Sequence, residues 1–206
     1  MMAKRSVAIF DLGGVLIDWN PRYLYRKLFD GDNDAMEHFL ATVCTSNWNA
    51  RQDAGRSLGE ACTLLKSKHP NHIKMIDAWM ERYGEMLGGP IQGTVELLSE
   101  LRSAGVPIYA LSNWSTETFP VARERFDFLQ WFDGILLSGE VCLLKPDPRI
   151  YRLFCETHAV DPEQAVYIDD LEPNVHTATA VGMHGIHFTG PSALRNELIR
   201  IGLIPH

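Results

Sequence analysis

Val7-Ala8-Ile9-Phe10-Asp11-Leu12-Gly13-Gly14-Val15 decides the fold: four apolar residues, a carboxylate, then a pair of glycines. A short, continuous apolar run closed by turn residues reads as a buried strand of a parallel sheet. Asp11 at its tip, beside glycines that let a ligand approach the backbone, is placed for chemistry. On its own such an aspartate serves equally well to form an Asx-turn. Three later apolar runs also end in polar groups, and together they suit one anionic, metal-assisted site.

Beyond residue 90, short β-like runs alternate with helix-like segments, the pattern of βα units and an α/β fold with a parallel sheet. Helices are expected at 93–104, 116–126, 147–158, 173–181 and 192–201, with strands at 107–111, 134–137, 165–168 and 185–188. Asp147-Pro148 opens its helix as a cap followed by a first-turn proline, and Gly105 and Gly182 close theirs. Residues 18–89 differ, having no convincing strand but several helix signals. Asn20-Pro21 is a cap and proline pair, and Ser57-Leu58-Gly59-Glu60 has capping-box spacing, so helices are expected near 21–29, 34–44, 58–68 and 72–87. The economical division is a core of residues 1–17 and 91–206 and a helical insertion, 18–90, hinged near 16–20 and at Gly88-Gly89-Pro90.

With 206 residues, the chain is long enough for one buried core plus a modest insertion. A net charge of −7 gives no basic footprint, so neither nucleic acid nor an anionic membrane is expected as a partner. The four cysteines, Cys44, Cys62, Cys142 and Cys155, lack CxxC spacing and read as scattered thiols of a reducing compartment. The first apolar run stops at Asp11, too soon for a signal-peptide core, and a cytoplasmic protein, monomer or homodimer, is expected.

In a parallel sheet the carboxyl ends of the strands share one edge, where ligands bind. Asp11 follows the first run, Ser112 and Asn113 the second, Lys145 the third, and Asp169-Asp170 the fourth. The set holds a nucleophile, a hydroxyl donor, a cation and a carboxylate pair. Adjacent carboxylates repel unless a cation lies between them, and Mg²⁺ needs few protein oxygens. Asp11, Asp170 and a backbone carbonyl would suffice, with Asp11 attacking phosphorus to give an aspartyl-phosphate.

Ile9-Phe10-Asp11-Leu12-Gly13-Gly14-Val15-Leu16, Leu111-Ser112-Asn113, Lys145-Pro146 and Ile168-Asp169-Asp170, with Asn174 following, closely resemble the four motifs of the haloacid dehalogenase superfamily. The resemblance covers nearly the whole chain and lies nearest the branch of sugar 1-phosphate phosphatases and epoxide hydrolase N-terminal domains. It implies a Rossmann-like three-layer core, a mobile helical cap between the first two motifs, Mg²⁺, and Asp11 as covalent nucleophile. It further implies that Ser112 and Lys145 hold the phosphate. Asp170 would bind the metal directly, Asp169 would bind it weakly or from the outer shell, and the Gly13 carbonyl would be available to it.

One departure bears on the substrate. Family phosphatases usually carry a second aspartate two residues after the nucleophile, as acid and base; here that residue is Gly13. A contribution of ~10²–10⁴-fold is then absent or supplied elsewhere. A small phosphorylated metabolite with a stable leaving group, such as a sugar 1-phosphate or acyl phosphate, suffers least. Among relatives with glycine at this position is a sugar 1-phosphate phosphatase. A 2-haloacid dehalogenase, displacing halide with the same aspartate, is the rival reading. Asp169-Asp170 counts against it, because a carboxylate pair without metal repels a carboxylate substrate. The remaining alternative is a binding protein that has kept the fold and lost the chemistry.

In the insertion, the loop-like stretch from Trp48 to Arg56 is the best candidate to face the site. Trp48, Arg51, Asp53 and Arg56 would read substrate there, with Asn113 and Gly13 contributing from the core. Asp53 or Asp18 is the candidate to replace the missing base.

Overall fold

The computed structural model describes residues 6–205. Residues 1–5 and His206 of the expected core lie outside this range. In chain order the elements are β1 (Val7–Phe10), β2 (Ile17–Trp19), α1 (Arg22–Leu28), α2 (Asn33–Thr42), α3 (Ser46–Asp53), α4 (Leu58–Lys68), α5 (Ile73–Glu81) and β3 (Leu87–Pro90). Then follow α6 (Gln92–Ser103), β4 (Ile108–Ser112), α7 (Phe119–Arg125), β5 (Gly134–Leu137), α8 (Ser138–Val141), α9 (Pro148–His158), β6 (Ala165–Asp169), α10 (Glu172–Ala180), β7 (His184–His187) and α11 (Pro191–Arg200).

Five strands form a sheet of order β5-β4-β1-β6-β7, parallel at every pairing. Because β1 is central, Phe10 pairs with Ala110 on one side and Ile168 on the other. Asp11, Ser112 and Asp169 therefore leave the sheet side by side. Helices cover both faces, as the buried strands β1 and β6 require. Ala8 and Phe10 pack with Leu97, Leu98 and Leu101 of α6 and Leu198 of α11. Ile9, pointing the other way, packs with Ile150, Tyr151 and Phe154 of α9 and Ala178 of α10. The result is the expected Rossmann-like α/β arrangement of helix, parallel sheet and helix.

The segment expected to lack strands is entered and left through an antiparallel ribbon of β2 and β3, with Ile17 opposite Pro90 and Asp18 opposite Gly89. These strands have three and four residues, and Leu87-Gly88-Gly89-Pro90 shows no alternation by which to find one. The expected helix at 72–87 stops at Glu81. A 3-10 turn, Tyr83–Met86, follows, with Gly84 in it weakening the helix. The α7 helix starts at Phe119 instead of 116, its Pro120 fitting only the first turn. Between β2 and β3, Trp79 is the hub of an aromatic cluster, 5.3 Å from Trp48, 6.0 Å from Tyr25 and 6.4 Å from Trp19 between ring centroids.

Candidate active site

Asp11 follows β1 with its backbone N–H donating to Ile168 O of β6, so its position is fixed by the sheet. Its Oδ1 accepts from Leu12 N at 2.7 Å and from Ser112 Oγ at 2.8 Å, and its Oδ2 meets Lys145 Nζ at 2.9 Å. Burial pushes the Asp11 carboxyl up to about 6, against the pull of Lys145. Lys145 spends its three N–H groups on Asp11, Asp169 Oδ2 at 2.8 Å and Leu111 O at 3.0 Å. Burial alone would lower its pKa, but the two carboxylates outweigh it and hold the ammonium above its usual range.

Asp169 is saturated. Tyr167 OH donates to it at 2.6 Å, Asn174 Nδ2 to both oxygens at 3.0 Å, and Leu171 N at 2.9 Å, in addition to Lys145. Asp169 thus ties β6 to the start of α10 and aims Lys145. Asn113 does the same from β4: its Oδ1 accepts from Lys145 N at 2.8 Å and its Nδ2 donates to Lys145 O at 3.0 Å. These seven bonds to two side chains place one ammonium beside one carboxylate.

Asp170 is different. Its oxygens abut Gly14, where an added Cβ would come within 2.5 Å of Oδ2. Gly14 has φ +74°, a backbone state that a side chain also disfavours. Gly14→Ala should therefore cost at least about 1–2 kcal/mol, read as a lower urea midpoint, and displace Asp170. Asp11, Asp169 and Asp170 each offer an oxygen lying within 4.8 Å of the others. Three carboxylates against one ammonium leave the pocket negative. A hard divalent cation fits this donor set, held by Asp11 and Asp170, whereas Asp169 has its oxygens engaged by protein donors.

Asp11, Ser112, Asn113, Lys145 and Asp170 line a cavity of about 310 Å³ together with Gly13, Trp19, Asn49, Asp53, Tyr83 and Trp114, while Asp169 lies buried behind it. Trp48 and Arg51 do not line it. The stretch read as a loop is the helix α3, so Asn49 and Asp53, four residues apart, share the face toward the cavity. Trp48 instead packs on Trp79, and Arg51 is exposed. Arg56 also stays outside, donating to Gln52 Oε1 at 2.7 Å. The available signal was Thr45, whose side chain caps α3 by accepting from Trp48 N at 3.0 Å. Asn49, which lies in the stretch expected to face the site, is joined there by Trp19 and Tyr83, whose positions depend on packing between β2, α3 and the turn after α5 and leave no local sequence signal. Asp18 lies outside the cavity, where it accepts from Tyr23 OH at 2.5 Å.

The haloacid dehalogenase-like hydrolase family profile matches residues 6–182. Sesquiterpene phosphatase astK of Aspergillus oryzae is 29% identical over 206 residues, covering 96% of this chain and 97% of its own. (S)-2-haloacid dehalogenase 4A of Burkholderia cepacia is 31% identical over 111 residues, 53% of this chain and 47% of that one. The fold matches that of a HAD family enzyme of Bacteroides thetaiotaomicron, solved with magnesium and inorganic phosphate, at TM-score 0.67 and 22% identity over 87% of this chain and 91% of that one. With the family profile spanning most of the sequence, and Asp11 set between Ser112, Lys145 and the aspartate pair, the chain belongs to the haloacid dehalogenase-like hydrolases.

Proposed function

We propose that this protein is a Mg²⁺-dependent phosphomonoesterase working through an aspartyl-phosphate on Asp11. Its substrate is a small phosphorylated metabolite with a good leaving group, such as a sugar 1-phosphate. The observation that carries the reading is the charge of the pocket. Asp11, Asp169 and Asp170 face one lysine, and this excess negative charge suits an anionic substrate only with a cation present. A full-length relative that is a phosphatase and a structural neighbour holding magnesium and phosphate support it.

Asp11 and Asp170, with the Gly13 carbonyl, would hold Mg²⁺, which neutralises charge on the phosphoryl oxygens. Asp11 then attacks phosphorus; the phosphoryl group bonds to its carboxylate as the alcohol or acyl oxygen departs. Ser112 and Lys145, already within 3 Å of the two Asp11 oxygens, meet the transferring group with an O–H and an N–H. Residues 18–90, as a cap, would close over the cavity through α3 and admit the leaving group.

The test is phosphate release from sugar 1-phosphates, acyl phosphates, sugar 6-phosphates and p-nitrophenyl phosphate, with Mg²⁺ and with EDTA, beside halide release from 2-chloropropionate. Release should favour the good leaving groups and fall by ~10²-fold or more in EDTA. EDTA-insensitive halide release would instead support the dehalogenase reading, which a partial relative favours. A companion variant probes the departure from the family motif. A Cβ at Gly13 meets nothing within 4 Å, so Gly13→Asp has room at the backbone for the first atom of its side chain. It should raise kcat on alkyl phosphates by ~10-fold or more and leave p-nitrophenyl phosphate nearly unchanged.

A further inference from the structure

We propose that Asp53 is the base for the second half-reaction, activating from α3 the water that Gly13 cannot activate. The inference rests on the covalent reading above. A good leaving group removes the need for an acid in the first step. It does nothing for the second, in which water attacks phosphorus whatever group has left.

Three carboxylates line the cavity: Asp11, Asp53 and Asp170. Asp11 carries the phosphoryl group, and Asp170 belongs to the tight acidic cluster. Asp53 stands outside that cluster and reaches the cavity from another element. It is also held still. Asn49 Nδ2 donates to its Oδ2 at 2.8 Å, the Ser115 backbone N–H donates to its carboxylate, and Ser138 Oγ donates to its main-chain oxygen at 2.5 Å. Ser115 lies three residues past Ser112, and Ser138 opens α8 directly after β5. Asp53 is thus pinned to the same loops that place the phosphate groups. Burial raises its carboxyl to about 7, suited to taking and releasing a proton near neutrality.

The step balances with water as the only co-reactant. Asp53 carboxylate accepts a proton from water as the water oxygen bonds to phosphorus. The bond between phosphorus and the Asp11 oxygen breaks, freeing inorganic phosphate and the Asp11 carboxylate, and Asp53 then releases its proton to solvent.

The experiment is rapid mixing of wild type, Asp53→Asn and Asp11→Asn with p-nitrophenyl phosphate and Mg²⁺. Asp53→Asn should release a burst of about one p-nitrophenol per site at the wild-type rate constant of phosphorylation, followed by a steady rate lower by ~10²-fold or more. Hydroxylamine, which attacks without a base, should raise that steady rate several-fold. A variant whose burst slows along with its steady rate has a positioning defect, and unchanged turnover means Asp53 is no base; either result overturns the inference. Asp11→Asn should show neither burst nor turnover. Normal turnover there would overturn the covalent reading itself.

Discussion

Asp11→Asn should abolish phosphate release, by about 10⁴-fold or more, while the protein unfolds at an undiminished urea concentration. The chemical effect follows from replacing the attacking oxygen pair with an amide, which has no negative charge to bring to phosphorus. The structural effect is small because Asn retains an oxygen for Leu12 N and Ser112 Oγ, and Lys145, though it loses its pair with Asp11, stays paired with Asp169. Removing a carboxylate that burial already pushes up to about 6 also relieves a charge that the fold holds at a cost. A stability assay and a phosphate assay on one preparation separate the two effects.

Lys145→Ala should injure both fold and activity. Among the described residues the ammonium is the single cation between Asp11 and Asp169, both buried, and its loss leaves two carboxylates facing each other without it. Breaking a buried ion pair from one side costs about 3–5 kcal/mol, and here two pairs go at once. On the proposed mechanism phosphate release should fall by ~10³-fold or more, since the same N–H groups would meet the transferring phosphoryl group. Adding Asp169→Asn to Lys145→Ala should recover part of the urea midpoint and none of the activity. The charge repulsion would be gone, and so would the cation that Asp11 needs.

The core was legible because its strands carry uninterrupted apolar runs and its ends carry unusual groups. Asp11, Ser112, Asp169 and Asp170 stand at or just past strand ends in the sequence, Lys145 follows β5 beyond the short helix α8, and the parallel sheet brings them together at one edge. The α3 helix is polar along its length, with only Gln52 buried, so no apolar stripe marked it and Trp48 looked like a loop residue. The β2 and β3 strands form a ribbon through pairing between residues some seventy positions apart, which local pattern does not record. Tyr167 was readable as a strand residue but not as a donor to Asp169, because that bond depends on the side chain bending two residues along its own strand. Asn113, expected to contact substrate, lines the cavity, and its amide also bonds both main-chain groups of Lys145, a role that no sequence pattern records.

Gly13 and Asp53 form the most instructive pair. Gly13 is visible in sequence as a departure from the family motif. Asp53 could be named only as one of two candidates, and geometry separates it from Asp18 by placing Asp53 in the cavity and Asp18 against Tyr23. If Asp11 is the nucleophile and Asp53 the base, as proposed, the acid and base chemistry would depend on how α3 is docked against the sheet edge. The bonds from Ser115 and Ser138 to Asp53 are where that docking is fixed.

The central claim is tested most directly by acid-quenching the Asp53→Asn protein during turnover of p-nitrophenyl phosphate and locating the phosphoryl group by peptide mass spectrometry. Phosphate on the peptide containing Asp11, and none in the Asp11→Asn control, is the predicted result. Turnover with Asp11 unmodified, or with the phosphoryl group on another residue, would contradict covalent catalysis by Asp11.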